Sequence, residues 1–197
     1  NVDYPVVYKA GVENYAYYES KGYDKQYSKD GVIWADYECT FPELSQNTTL
    51  YGHNWHNIYT PRTQANMQAN DLMFSLVMSY NYTDFAQENP FVYFSTTEQD
   101  YVFQVFASYY TDLNFGYNYA QMSQEDFQKV IAEAKAKSLS NYNVPVTSED
   151  KIVTLSTCTR VHGNTHNQRF VVMAKLVPVG TPSTTISTHS NPIAYNS

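Results

Sequence analysis

Short runs of β-branched and aromatic residues, each closed by turn-forming positions, recur along most of the chain. Tyr4 to Tyr8, Val32 to Asp36, Thr48 to Tyr51, Phe91 to Ser95, Tyr101 to Ser108, Lys151 to Thr157 and Arg169 to Val177 read as strands. The polar stretch Thr96-Thr97-Glu98-Gln99-Asp100 has the length of a hairpin link between two of them. Seven or eight such strands around one core predict a barrel or sandwich. The period changes at Ser123, which has Asp126 three residues on in the manner of a capping box. Phe127, Val130, Ile131 and Ala134 then recur at helical spacing, which predicts a helix ending near Ser138 or Leu139. A thinner apolar stripe of Met67, Leu72, Met73 and Leu76 predicts a second helix over about Gln64 to Met78. Residues 179–197 are rich in Ser, Thr and Pro without periodicity, so a loosely held tail is expected after a single domain spanning 1–178.

Composition narrows the class. Twelve Lys plus Arg against 19 Asp plus Glu give a net charge of −7, which argues against nucleic acid as a partner. Twenty of the 197 residues are Tyr and 16% are aromatic, far too much apolar surface for a disordered chain. A chain of this length buries roughly 70% of its unfolded surface, enough for a core without disulfide staples. The two cysteines, Cys39 and Cys158, exclude a cysteine-rich scaffold. No apolar run approaches the ~20 residues of a membrane helix. The chain starts at Asn1 rather than Met and does not open on a basic and apolar leader, so a preceding segment removed by processing is expected.

Three stretches carry possible chemistry: TLYGHN around His53, TLSTC ending at Cys158, and RFVVMAK beginning at Arg169. Each sits at the end of an expected strand. A cysteine nucleophile needs a neighbouring cation to favour its thiolate. Imidazole titrates near ~6.5, so a histidine can protonate a leaving amine and deprotonate an incoming one. A tetrahedral acyl intermediate needs fixed donors for its oxyanion, and a guanidinium such as that of Arg169 offers two. Arg160, in the TRVHGNTHNQ stretch between Cys158 and Arg169, is a rival for that role.

In this order the stretches resemble the His, Cys and Arg motifs of sortases, the cysteine transpeptidases that attach proteins to Gram-positive cell walls. The helix beginning at Ser123, and the N-terminal DYPVVYKAGVENYAYYES followed by GVIWADY, are similar to class B in particular. The resemblance covers about Val2 to Val177. It implies a mostly β fold, a closed eight-stranded barrel with peripheral helices, one of them between the sixth and seventh strands. It also implies no metal or organic cofactor and a site on the extracellular face of the membrane. Cys158 would attack the carbonyl after Thr in a sorting signal of Asn-Pro-x-Thr type, and the acyl group would pass to a peptidoglycan precursor amine. His53 would serve as general acid and then base, and Arg169 would hold substrate and oxyanion. Further resemblance assigns substrate contacts to Ser156 and Thr159 beside the nucleophile, Asn14 and Tyr18 in the N-terminal groove wall, and Thr111 and Phe115 before the helix.

Each residue also has a plain reading. Cys158 alone would be a buried structural thiol, His53 a hydrogen-bonded structural histidine and Arg169 a solvated edge charge. Cys39 keeps its plain reading as a small buried residue, and His56, three after His53, lacks a third ligand of sensible spacing for a metal. Three other functions share much of the pattern. A pilin-polymerising sortase would use a Lys acceptor, an inactive barrel would only bind peptide, and a hydrolytic cysteine protease would use water.

Overall fold

The computed structural model describes residues 2–13 and 15–195. Its nine strands are β1 (Val6–Val7), β2 (Ile33–Ala35), β3 (Asn47–Tyr51), β4 (Phe91–Ser95), β5 (Asp100–Asp112), β6 (Ser140–Asn141), β7 (Ile152–Cys158), β8 (Gln168–Val177) and β9 (Ser187–Thr188). Its helices are α1 (Tyr15–Ser20), α2 (Thr83–Glu88) and α3 (Gln124–Lys137), with 3₁₀ turns at Gln64–Asn66 and Ser75–Asn81. Seven strands form one curled sheet in the order β1-β2-β3-β7-β8-β5-β4, and β6 pairs β9 apart from it. The mostly β expectation is met, but the sheet is an open half-barrel rather than a closed eight-stranded ring. β1 is only two residues long and offers too little backbone to reach β4. Aromatic side chains bridge the gap instead: Phe41 packs between Tyr8 at 4.7 Å and Phe94 at 5.9 Å, and the Tyr101 hydroxyl donates to the Pro42 carbonyl at 3.2 Å.

The centre of the sheet is a parallel pair, β3 with β7, set beside the antiparallel ladder of β7, β8 and β5. Asn47 keys the register. Its side chain is fully buried, accepts the Thr154 hydroxyl at 2.7 Å and donates to the carbonyls of Tyr117 at 2.8 Å and Tyr119 at 3.2 Å. A buried amide with its donors and acceptor all engaged tolerates no slip, because any shift leaves polar groups without partners. One face of the ladder is covered by loop 113–122, through Tyr117 and Asn118, and the other by the 3₁₀ turn at Ser75–Asn81, through Tyr80 and Asn81. Both faces are therefore covered, and the central strands read as near-continuous apolar and small polar runs.

The helix expected from Ser123 is α3. The Ser123 hydroxyl accepts the Asp126 amide at 3.1 Å, Glu125 and Asp126 occupy the first turn and Lys135 and Lys137 the last, and Phe127, Ile131 and Ala134 are buried. It follows β5 and precedes the two-residue β6, one strand earlier in chain order than expected. The second expected helix breaks into two 3₁₀ turns. Between them the Asp71 carboxylate accepts the Gln68 amide at 2.8 Å, Met73 takes a positive φ of 52°, and the Phe74 amide donates to the His53 carbonyl at 3.0 Å. That tertiary bond to the strand end outweighs a weak helical stripe. α1 and α2 escape a periodicity reading because six residues span less than two turns.

Residues 179–195 are not loose. Ile186 is buried in the core, β9 pairs β6, the His189 and Ile193 amides donate to Leu139 and Ala136, and the Gln87 and Gln104 side chains donate to the Ile186 and Pro182 carbonyls. Their composition lacks a period because side chains of the domain, rather than a ladder of their own, satisfy much of their backbone.

Burial raises the phenols of Tyr51, Tyr80, Tyr109 and Tyr142 above their usual value, and pushes the Cys39 thiol up to about 11. The folded state holds these protons more tightly than the unfolded chain, so their stabilisation is complete below about pH 9 and is lost as pH rises beyond it. The melting temperature is expected to hold between about pH 7 and 9 and to fall steeply above about pH 10. Most tyrosinate absorbance should appear together with the loss of circular dichroism.

Candidate active site

The register carries a row of side chains across three strands. Cys158, the last residue of β7, is the partner of Arg169 on β8, and Arg169 is the partner of Thr111 on β5. On the other side the parallel pairing of β3 with β7 ends at Tyr51, opposite Ser156, and two further bonds tie the chain just beyond it to β7. The Gly52 amide donates to the Ser156 carbonyl at 3.4 Å, and the Thr157 hydroxyl donates to the Gly52 carbonyl at 2.7 Å. His53 and Cys158 each lie two residues beyond the last registered pair, Tyr51 and Ser156, so the two strand ends bring them side by side. His53, Cys158 and Arg169 are each half-buried, as groups that must meet a substrate need to be.

Local packing explains the residues around this row. A Cβ on Gly52 would lie 2.7 Å from the Phe74 ring, so only glycine lets the strand end close over Phe74 and deliver His53. Asn54 is buried and ties the two motifs together: its Nδ2 donates to the Cys158 carbonyl at 3.3 Å and its Oδ1 accepts the Asn57 amide at 3.0 Å. The His53 ring lies between Trp55 at 4.9 Å and Trp34 at 6.3 Å. Its Nε2 is 3.0 Å from the Glu19 carbonyl, which only accepts, so Nε2 carries a proton. Nδ1 is left as the nitrogen free to exchange a proton with a reacting group.

Arg169, not Arg160, stands opposite Cys158. Its Nη1 donates to the carbonyls of His166 at 3.0 Å and Gln168 at 2.9 Å, which fixes the fork and leaves donors to spare. Arg160 lies beyond the strand end, its amide bonded to Ile58 and its Nη2 directed to His166 Nδ1 at 2.7 Å. The Tyr117 hydroxyl bonds Ser156 Oγ at 2.8 Å beneath the row. Burial raises this phenol most, Ser156 and the Arg169 charge lower it, and a Cys158 thiolate raises it, which places it within electrostatic reach of both groups.

The expected substrate contacts divide. Thr111 lies in the row but is buried, and Ser156 is buried with its hydroxyl taken by Tyr117. Thr159 is buried with its hydroxyl on the Ile58 carbonyl, so in this arrangement its side chain points into the protein rather than a groove. Tyr18 is buried flat on Trp34 at 6.1 Å, behind the His53 wall. Phe115 is half-buried against Tyr109 and Tyr117 and remains within reach of a peptide. Asn14 lies outside the described residues. Sequence reading missed Asn54 and the Glu19 carbonyl. Asn54 was within sight, as the residue after the Gly-His pair; the carbonyl comes from a distant segment and carries no local signal.

A half-barrel that sets a half-buried thiol between an imidazole and a guanidinium defines a cysteine transpeptidase of the sortase class. The sortase domain model matches residues 1–177. Sortase B of Staphylococcus aureus (strain NCTC 8325 / PS 47) is 29% identical over 91% of this chain and 67% of its own length. Sortase B of Listeria monocytogenes is 28% identical over 89% and 65%. The chain thus spans about two thirds of the curated relatives it matches. Among solved structures, a Staphylococcus aureus sortase B–substrate complex matches with a TM-score of 0.72 at 28% identity, over 90% of this chain and 74% of that one. A sortase B complexed with triglycine gives 0.73 at 29%, over 90% and 75%. Clostridium perfringens sortase B gives 0.72 at 27%, over 90% and 88%. The chain belongs to the sortase family, and its relatives place it in class B.

Both cysteines are free, and their surroundings separate them. Iodoacetamide at about pH 8 is expected to label Cys158 and leave Cys39 intact in the folded protein, as peptide mass mapping will show, because Cys39 is buried and its thiol is held protonated. Asn54→Ala is expected to cost about 1–3 kcal/mol in denaturant melts, since it strips partners from the buried Asn57 amide and the half-buried Cys158 carbonyl, and to alter the Cys158 labelling rate.

Proposed function

We propose that this chain cleaves a C-terminal sorting signal of Asn-Pro-x-Thr type after Thr and joins the new carboxyl end to a peptidoglycan precursor amine. It would work on the extracellular face of the membrane, held by an N-terminal segment outside this sequence. The observation that carries this reading is the pairing of Cys158 with Arg169, with the bonds of Gly52 and Asn54 across the strand end supporting His53 as the third member. The Cys158 thiolate attacks the Thr carbonyl, forming a C–S bond and an oxyanion held by the Arg169 guanidinium. The intermediate collapses, the peptide C–N bond breaks, and His53 Nδ1 gives the departing amine its proton. An incoming amine then attacks the thioester, His53 takes up its proton, and the C–S bond breaks to return the thiolate. The relatives solved with a substrate and with triglycine support a peptide donor and an amine-bearing acceptor.

Intact-protein mass spectrometry with a panel of signal peptides, with and without triglycine, a diaminopimelate peptide or a Lys peptide, tests the reading. The expected result is a thioacyl adduct on Cys158 that vanishes as an amide with triglycine or the diaminopimelate peptide forms. Transfer to the Lys peptide alone would point to pilin polymerisation, transfer only to water to a protease, and no adduct with any signal to a binding barrel. Cys158→Ala is expected to abolish turnover, while Cys39→Ala retains most of it. Arg169→Lys is expected to lower kcat by about 10²–10³, because an ammonium lacks the fork that meets both substrate and oxyanion.

A further inference from the structure

The loop 159–167 joins Cys158 to Arg169, so its conformation sets how the nucleophile and the guanidinium face each other. Two internal staples hold it. The buried Gln168 side chain accepts the His162 amide at 3.1 Å and donates to the Gly163 carbonyl and the Thr165 hydroxyl at 2.6 Å each. Arg160 reaches His166, whose carbonyl in turn receives Arg169. Both staples begin and end within the loop and its rims, so neither anchors it to the body of the protein.

Toward the body, Thr159 and Arg160 bond the Ile58 carbonyl at the start of the loop and Tyr59 reaches Asn164, while the anchors of His162 are aromatic. On one side the His162 ring meets Tyr110 of β5 edge-on at 4.7 Å. On the other it is covered by Tyr195, stacked at 4.9 Å with 5° between the planes. Tyr195 lies 18 residues beyond the end of the matched sortase domain. The segment that brings it there is secured along its course by Ile186 in the core, by β9 on β6, by His189 on the Leu139 carbonyl and by Ile193 on α3. A stretch without repeating pattern is thus tied to the body at four places and ends on the loop that spans the two reacting groups.

We propose that residues 179–195 form a clasp in which Tyr195 is a positioning residue, pinning His162 and so fixing the 159–167 loop and the facing of Cys158 and Arg169. Tyr195 touches no reacting atom; it acts through the loop. The effect on signal cleavage rests on the function proposed above, but the clasp itself is tested by measurements that need no substrate. In Tyr195→Ala, hydrogen exchange at the amides of 159–167 is expected to quicken roughly 3- to 10-fold, the scale of coupling through packed side chains, while the amides of β5 and β7 stay as slow as before. The rate at which iodoacetamide alkylates Cys158, followed across pH, is expected to shift by a similar factor. Tyr195→Phe keeps the ring on His162 and should restore most of both effects. A chain ending at Ser190, which retains Ile186 and β9, should behave as Tyr195→Ala does. With a signal peptide that the native protein cleaves, Tyr195→Ala should lower kcat/KM by about the same factor. Native exchange and alkylation rates in Tyr195→Ala would overturn the clasp, and so would equal quickening across β5 and β7, which would make the tail a general stabiliser. If no signal is cleaved by the native protein yet the loop responds as expected, the proposed function fails and the clasp stands.

Discussion

The parallel pairing of β3 with β7 is the constraint on which the site depends. Two chain segments about a hundred residues apart lie side by side in one register, and that register, continued by the bonds of Gly52 and Asn54, brings His53 beside Cys158. A slip of one residue would turn every side chain of a strand to the opposite face. Asn47 opposes the slip, because its buried amide has partners only in the native alignment, and Asn54 repeats the lock at the far end by holding the Cys158 carbonyl. The two asparagines bracket the pair, one at the start of β3 and one just past the histidine.

Reactive groups at strand ends gain rigidity from the sheet without being buried by it. β7 and β8 hold the backbones of Cys158 and Arg169 in adjacent ladder positions, and only the last residues of the row emerge half-buried. Beneath them the interior is unusually polar, with Thr48, Thr49, Thr154, Ser156 and Thr157 all buried. Several of these hydroxyls bond backbone or tyrosine groups from facing loops, so the abundance of Tyr finds part of its use here. Tyr117 and Ser156 brace the floor of the site, and Tyr15 and Tyr51 donate to the buried Asp36 carboxylate beside the Trp34 wall of His53. A phenol suits these places because its ring packs as a hydrophobe and its hydroxyl still finds a partner.

The open sheet and the docked tail show how the fold makes up for short edges. β1 and β4 do not pair, yet Phe41 and Tyr101 span the interval between them. Beyond the end of β4, the outer edge of β5 is taken by Ser138 and Leu139, and the tail adds a further layer there through β9. The edges are covered piecemeal by side chains and irregular backbone, which still hides exposed amides from other chains.

Local pattern was enough to locate the seven strands of the main sheet, the capped helix α3, and the three motifs in their order. Alternation, capping and side-chain chemistry are properties of a few neighbouring residues and are written where they act. Other features arise only when distant segments meet. The register that selects Arg169 over Arg160, the carbonyl of Glu19 that settles the His53 tautomer, and the burial that withdraws Thr159 and Ser156 from the groove all belong to pairings between remote strands and loops. The same holds for the stretch 64–78, where one bond from Phe74 to the end of β3 outweighs a helical stripe, and for the tail, whose order comes from the surface it lies on. Composition set what each segment could form alone; burial and hydrogen bonding across the fold decided which of those forms survived.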